Sequence, residues 1–247
     1  MDVIDDLAAE QQQIDRMLAG IDEASWQAPS GAVGWTIADV VLHLAQSEEA
    51  VVLSTKGTSL ADALPEALVG ATSMDDMMDR WVASERARGP QVFERWRQAA
   101  TAAVAALRAA DPDIRLPWAA APLKPAALAT TRLAEHWAHA LDVAEGLGVA
   151  YPDTDRLRHI AWLAHRTLPY AFTLAGEQPH DVYCELTAPD TVTVWSFGNP
   201  EIDARIEGSA GMFCRVGARR VPPEASGLTT TGAHAEAALR VLRNYAA

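Results

Sequence analysis

Residues able to bind a divalent metal recur in this chain at spacings that permit one shared site. His43 lies in the apolar run Val40-Val41-Leu42-His43-Leu44, and Glu135 and His139 lie in Ala134-Glu135-His136-Trp137-Ala138-His139-Ala140-Leu141-Asp142. Glu135 and His139 are four residues apart, one turn up a single helix face, so a carboxylate oxygen and an imidazole nitrogen can converge on one ion at about 2.0 to 2.2 Å. A third ligand then has to come from a facing element, and His43 is the histidine of an earlier helix. Two histidines and one glutamate suit zinc or a similar divalent ion, and three protein ligands leave a position open for water or substrate. A plainer reading stands beside this one. A histidine among Val41, Leu42 and Leu44 can be a hydrogen-bonded core residue, and a Glu four residues before a His is a common surface pair.

The neighbours of these residues bear on the choice. Arg132, Glu135, His139 and Asp142 form one stripe, which is either a solvated face or an inward polar site. Arg132 is a candidate partner for Glu135. Asp142 is a candidate for the shell behind the ligands or for stabilising the bundle. Asp39, one turn before His43, can fix that imidazole's tautomer or simply complement the helix dipole. His136 points about 100° away from Glu135, as a bystander or, if the other face is turned inward, as a substitute ligand. Other chemistry finds less support. There is no G-x-S-x-G elbow, no G-x-G-x-x-G after a strand and no Walker A lysine. Cys184 and Cys214 read as small apolar fillers, and His165-Arg166 as a surface pair or a pocket wall. Arg215, Arg219 and Arg220 follow the Gly208-Ser209-Ala210-Gly211 turn and could hold an anionic group of a substrate or thiol cofactor.

Helices are needed to position these groups, and the patterning supplies them. Val3, Ile4, Leu7, Ile14, Leu18 and Ile21 mark a first amphipathic helix ending near Gly20. Thr36, with Asp39 three residues on, caps a second helix that runs to about Lys56. Residues 73 to 110 read as one kinked helix or two, interrupted at Gly89-Pro90. A Pro-rich connector leads into a helix that closes on Gly146 and Gly148, and a further helix spans 153 to 176. From about residue 180 the texture changes. VYCELTA and TVTVWSF alternate with period two around Pro189-Asp190, and DARIEG offers a third strand. Helices are expected over 208–220 and, after the turn-rich Thr229-Thr230-Thr231-Gly232, over 233–246. The fold class is therefore mainly α with a smaller α+β part, divided into a bundle over residues 1–178 and an α+β domain over 179–247.

Composition limits the function. The chain has 247 residues, 49% hydrophobic and 21% charged, which is ordinary globular composition. Asp and Glu number 33 against 20 Lys and Arg, a formal charge of −13, the wrong sign for phosphate backbones or anionic lipid. Two cysteines, outside any CxxC pair, fit a reducing compartment. The acidic start MDVIDDLAAEQQQIDRM has neither the basic nor the apolar region of a signal peptide, and no apolar stretch reaches the roughly 18 residues of a membrane span. The expectation is a cytoplasmic protein whose partner is a small-molecule substrate rather than nucleic acid or membrane, with a homodimer compatible with the sequence.

Gly34-Trp35-Thr36-Ile37-Ala38-Asp39-Val40-Val41-Leu42-His43-Leu44, followed by Thr131-Arg132-Leu133-Ala134-Glu135-His136-Trp137-Ala138-His139-Ala140-Leu141-Asp142, resembles the DinB-like metal-binding bundle of the mycothiol-dependent maleylpyruvate isomerase superfamily. Residues 180 to 247, with Ile206-Glu207-Gly208-Ser209-Ala210 and Arg219-Arg220, resemble in general pattern the small C-terminal domain of that superfamily. The resemblance implies an up-down four-helix bundle and a divalent metal, usually zinc, on His43, Glu135 and His139. It also implies a low-molecular-weight thiol such as mycothiol as cosubstrate, in isomerisation or S-transfer. The metal would activate the thiol or polarise a substrate carbonyl. It further implies a catalytic arginine from the C-terminal part, placed on Arg220 with Arg215 as the alternative; Asp39, from its position one turn before His43, is the other candidate catalytic-site residue. The competing expectation is a metal-dependent binding or scaffold protein without turnover.

Overall fold

A computed structural model describes residues 2–59, 70–118 and 121–244. The chain forms two compact units that divide between Tyr151 and Pro152. In the first, the elements are α1 (Val3–Leu18), the short α2 (Glu23–Trp26), α3 (Ile37–Thr55), α4 (Met74–Ser84), α5 (Gly89–Ala109) and α6 (Pro125–Leu147). Helices α1, α3, α5 and α6 make a four-helix bundle in which α3 packs along α5 and α6, and α1 along α6 and α5. Ion pairs Asp5–Arg108 and Asp15–Arg97 run in opposite senses along α1 and α5, so those two helices are antiparallel.

Helix α3 is the central element. Every residue from Ile37 to Glu48 is buried, polar ones included, because α4 covers the side of α3 that a bundle would leave to solvent. Its start is set by a capping box: Thr36 Oγ1 accepts from the Asp39 N–H at 3.2 Å, and Asp39 Oδ2 accepts from the Thr36 N–H at 3.0 Å. The expected interruption at Gly89-Pro90 is a break into two helices. Residues 85–88 leave the helix, and Pro90 opens α5, where its missing N–H has no intrahelical bond to lose.

The second unit contains α7 (Leu157–Arg166), α8 (Leu168–Leu174), β1 (Tyr183–Thr187), β2 (Val194–Phe197), β3 (Arg205–Ser209), α9 (Ala210–Gly217), β4 (Thr229–Thr231) and α10 (Ala235–Val241). The sheet order is β2-β1-β3-β4, with β1 and β3 parallel and both edge pairs antiparallel. Cys184 and Leu186 face inward opposite Ile206, Phe197 and Trp195. Burial pushes the Cys184 thiol up to about 12 and raises that of Cys214 as well, as expected of apolar fillers.

The units divide earlier than the boundary after residue 178 read from the sequence. The apolar face of α7, with Leu157, Ile160, Ala161 and Ala164, has the period of a bundle helix, but it packs on α9 and β2. The helix expected over 153–176 is two helices, broken at Thr167 ahead of Pro169. The Thr229–Thr231 segment, read as a turn, pairs with β3 as an edge strand. The helix expected over 233–246 is α10, ending at Val241; residues 245–246 lie outside the described residues. No helix among the described residues is long and apolar enough to cross a membrane.

Asp39 also receives a two-point ion pair from Arg86, at 2.8 and 3.1 Å. The Asp39→Ala variant should lose about 1 to 2 kcal/mol of stability by urea denaturation at neutral pH, chiefly from the lost cap. Despite its burial, the Arg86 and Thr36 hydrogen bonds hold the Asp39 carboxyl below its ordinary value. Its contribution is therefore complete above the unfolded pKa, about 3.9, and fades as pH falls through the lower folded value. The gap between wild type and variant should close in that acid window.

Candidate metal centre

Helices α3 and α6 bring the three expected ligands together. His43 Nε2 lies 3.8 Å from Glu135 Oε2, and His139 Nε2 lies 3.6 Å from the same oxygen. One ligand atom from each residue lies within 4.8 Å of the other two. An ion bound at 2.0 to 2.1 Å with tetrahedral angles holds its donors about 3.3 Å apart, so small rotamer adjustments close the set. The side chains of His43 and His139 are 9% and 13% exposed and that of Glu135 is 29% exposed, which makes the carboxylate side the open one.

The protonation states suit a ligand set. His139 Nδ1 faces Asp142 Oδ2 at 2.9 Å, which places a proton on Nδ1 and turns the Nε2 lone pair toward Glu135 and His43. Burial works against a charge on His139, but Asp142 and Glu135 overcome it and raise its pKa. Burial pushes the His43 imidazole down, against the pull of Glu135. Glu135, in spite of its own desolvation, is held well below the usual carboxylate range by the adjacent His139 and His43 imidazoles and by the charge of Arg132.

Asp39 and Arg132 are placed differently from expectation. Asp39 is occupied by its cap and by Arg86, while His43 Nδ1 is buried with no hydrogen-bond partner among the described residues, so Asp39 does not fix that tautomer. Arg132 reaches past Glu135 to Glu48 of α3, with Nε donating to Oε1 at 2.8 Å; both side chains are buried. His136 faces the bundle interior. It accepts from Trp96 Nε1 at 3.3 Å and donates from Nδ1 to the Arg132 carbonyl at 2.9 Å, and burial together with the Arg132 charge lowers its pKa to about 3. His136 is thus a neutral core histidine and not the substitute ligand.

Glu48 and Trp35 were not legible as site residues. A glutamate five residues after His43 reads as an exposed helix residue until its buried partners on α6, Arg132 and His136, are known. Trp35 stacks near His139, with centroids 6.1 Å apart and planes at 22°, and tilts over His43 at 5.2 Å. The loop that carries Trp35 lies tight on α6: the Gly31 N–H donates to the Asp142 carbonyl at 2.9 Å, and a Cβ at Gly31 or Gly146 would collide with the facing chain. Of the arginines in the second unit, Arg215 makes a two-point pair with Asp153, and Arg220, exposed just beyond α9, donates to the Ala218 carbonyl.

Residues 7–144, more than half of the chain and including all three candidate ligands, match the model of the mycothiol maleylpyruvate isomerase N-terminal domain. The chain belongs to this DinB-like family. Two curated relatives, uncharacterized proteins from the CDC 1551 and H37Rv strains of Mycobacterium tuberculosis, are each 33% identical over 245 residues, spanning 98% of this chain and 94% of theirs. Among solved structures, the mycothiol-dependent maleylpyruvate isomerase superposes with a TM-score of 0.63 at 16% identity, and a histidine-to-alanine mutant of it with 0.61 at 15%. Each covers 92% of this chain and 91% of its own. At that identity the likeness shows the family fold, a helical bundle with a C-terminal α+β part.

The Glu48–Arg132 pair makes a stability prediction. Arg132→Met alone strands a buried carboxylate and should cost about 3 to 5 kcal/mol, whereas Glu48→Leu combined with Arg132→Met should recover most of that loss in denaturant unfolding.

Proposed function

We propose that the chain is a divalent-metal-dependent enzyme that acts with a low-molecular-weight thiol, mycothiol in the family's name, to isomerise a small-molecule substrate or transfer the thiol to it. The observation that carries this reading is the convergence of His43 Nε2, Glu135 Oε2 and His139 Nε2 behind a hydrogen bond from His139 to Asp142. The donor set fits zinc: two nitrogens and one carboxylate oxygen, with an exposed side left for a further ligand. Bound there, the ion would supply Lewis acidity, lowering the pKa of a thiol or polarising a carbonyl.

The residues of the chain have separate tasks. Asp142 holds the proton on His139 Nδ1 and keeps the ring in its ligating orientation. Burial keeps His43 neutral and Glu135 stays ionised, while His139, whose pKa Asp142 and Glu135 raise, gives up any proton on Nε2 as the cation binds. Trp35 shields the imidazole rings from water. By the family resemblance the C-terminal arginine role is assigned to Arg220, with Arg215 as the alternative, and Asp39 supports the site by fixing the start of α3.

Elemental analysis of the purified protein tests the reading. Near-stoichiometric zinc or a similar ion is expected, lost in both His43→Ala and His139→Ala with helical content retained. A wild-type protein that cannot take up added zinc overturns it. Asp142→Asn should keep the fold but weaken metal affinity by about 10- to 100-fold in chelator competition. Thiol-dependent turnover then separates an enzyme from a metal-binding protein without chemistry.

A further inference from the structure

Trp35 is held in place from three directions. Its N–H donates to the Ala32 carbonyl at 3.0 Å, its carbonyl accepts from the Ser30 N–H at 2.9 Å, and its indole Nε1–H donates to Asp79 Oδ1 of α4 at 2.7 Å. This indole is half-buried and lies against both imidazoles of the candidate metal centre. The same α4 carries Met77 and Met78, which with Trp118 pack, only partly buried, against Trp81 and Ala50. Ala50 is two turns beyond His43 on α3, and Arg132, whose guanidinium lies 6.0 Å from the Trp118 ring centroid, is two turns before His139 on α6. The apolar cluster therefore continues from the metal-binding residues along the same faces of the two helices.

The cations beside this wall are already neutralised. Arg132 is paired with Glu48, and Arg86 is paired with Asp39 in the cleft next to Gly34 and Thr36. The chain as a whole carries a formal charge of −13. Apart from the ion and the arginine assigned above, a carboxylate-rich molecule meets the net negative charge of the chain and no uncommitted cation from these two residues, while an aromatic or alkyl group meets an indole and thioethers.

We propose that Trp35 is the specificity-determining wall of the substrate subsite, and that the molecule bound there presents an uncharged aromatic or alkyl body to the indole rather than a pair of carboxylates. The inference rests on the metal reading of His43, Glu135 and His139. Asp79 fixes the indole plane, and the metal-side group of the substrate is aligned by the contact of its body with that plane.

Two thiols of opposite character test this: 2-phenylethanethiol and mercaptosuccinate, titrated calorimetrically into zinc-loaded protein after its zinc content has been measured. The phenyl thiol should bind about tenfold more tightly than the dicarboxylate, within the range of one aromatic contact plus burial. Trp35→Ala should keep its zinc and lose that preference through weaker binding of the phenyl thiol alone, and Trp35→Phe should retain most of it. Equal or tighter binding of mercaptosuccinate, or equal weakening of both thiols in Trp35→Ala, overturns the subsite and leaves the metal reading intact. Wild-type protein without zinc uptake overturns both.

Discussion

The register between α3 and α6 is the constraint on which the candidate site depends, and the buried Glu48–Arg132 pair sets it. Along α3 the numbers rise from His43 to Glu48, while along α6 they fall from Glu135 to Arg132, so the ion pair and the ligand cluster are two rungs of one antiparallel ladder. An apolar interface tolerates sliding between similar side chains. A carboxylate and a guanidinium taken out of water do not, because any slip leaves both charges buried without compensation. The pair need not add net stability to perform this role; it penalises every other alignment.

Much of the bundle was legible because its signals are local. The Thr36–Asp39 box, the interruption at Gly89-Pro90 and the one-turn spacing of Glu135 and His139 each act within a few residues, although only the structure shows that interruption to be a break between two helices rather than a kink in one. What escaped depends on partners far apart in sequence. Arg132 stands near Glu135 on a helical wheel, yet its partner is Glu48, 84 residues away on the facing helix. Asp39 is one turn from His43, but Arg86 competes for its oxygens and wins with two hydrogen bonds. Trp35 read only as the residue before a cap, since nothing local announces that the loop folds back onto α6.

The second unit was harder to delimit for a related reason. An apolar stripe with a period of 3.6 reports that a helix has something to bury, without saying against what, and α7 buries its stripe on α9 and β2. The edge strand β4 is only three residues long, Thr229–Thr231, and its burial pattern has no inward apolar residue to betray it. Its place is given by main-chain pairing with β3, which sequence patterning does not express.

The placement of the two cysteines has a consequence for a protein that would keep company with thiols and electrophiles. Both sulfurs are sealed in the interior of the second unit and kept protonated by burial, so neither offers the thiolate on which alkylation and mixed-disulfide exchange depend. The fold therefore contributes no competing nucleophile of its own from these residues. An electrophile or a disulfide that meets this chain finds no ready point of attachment at Cys184 or Cys214.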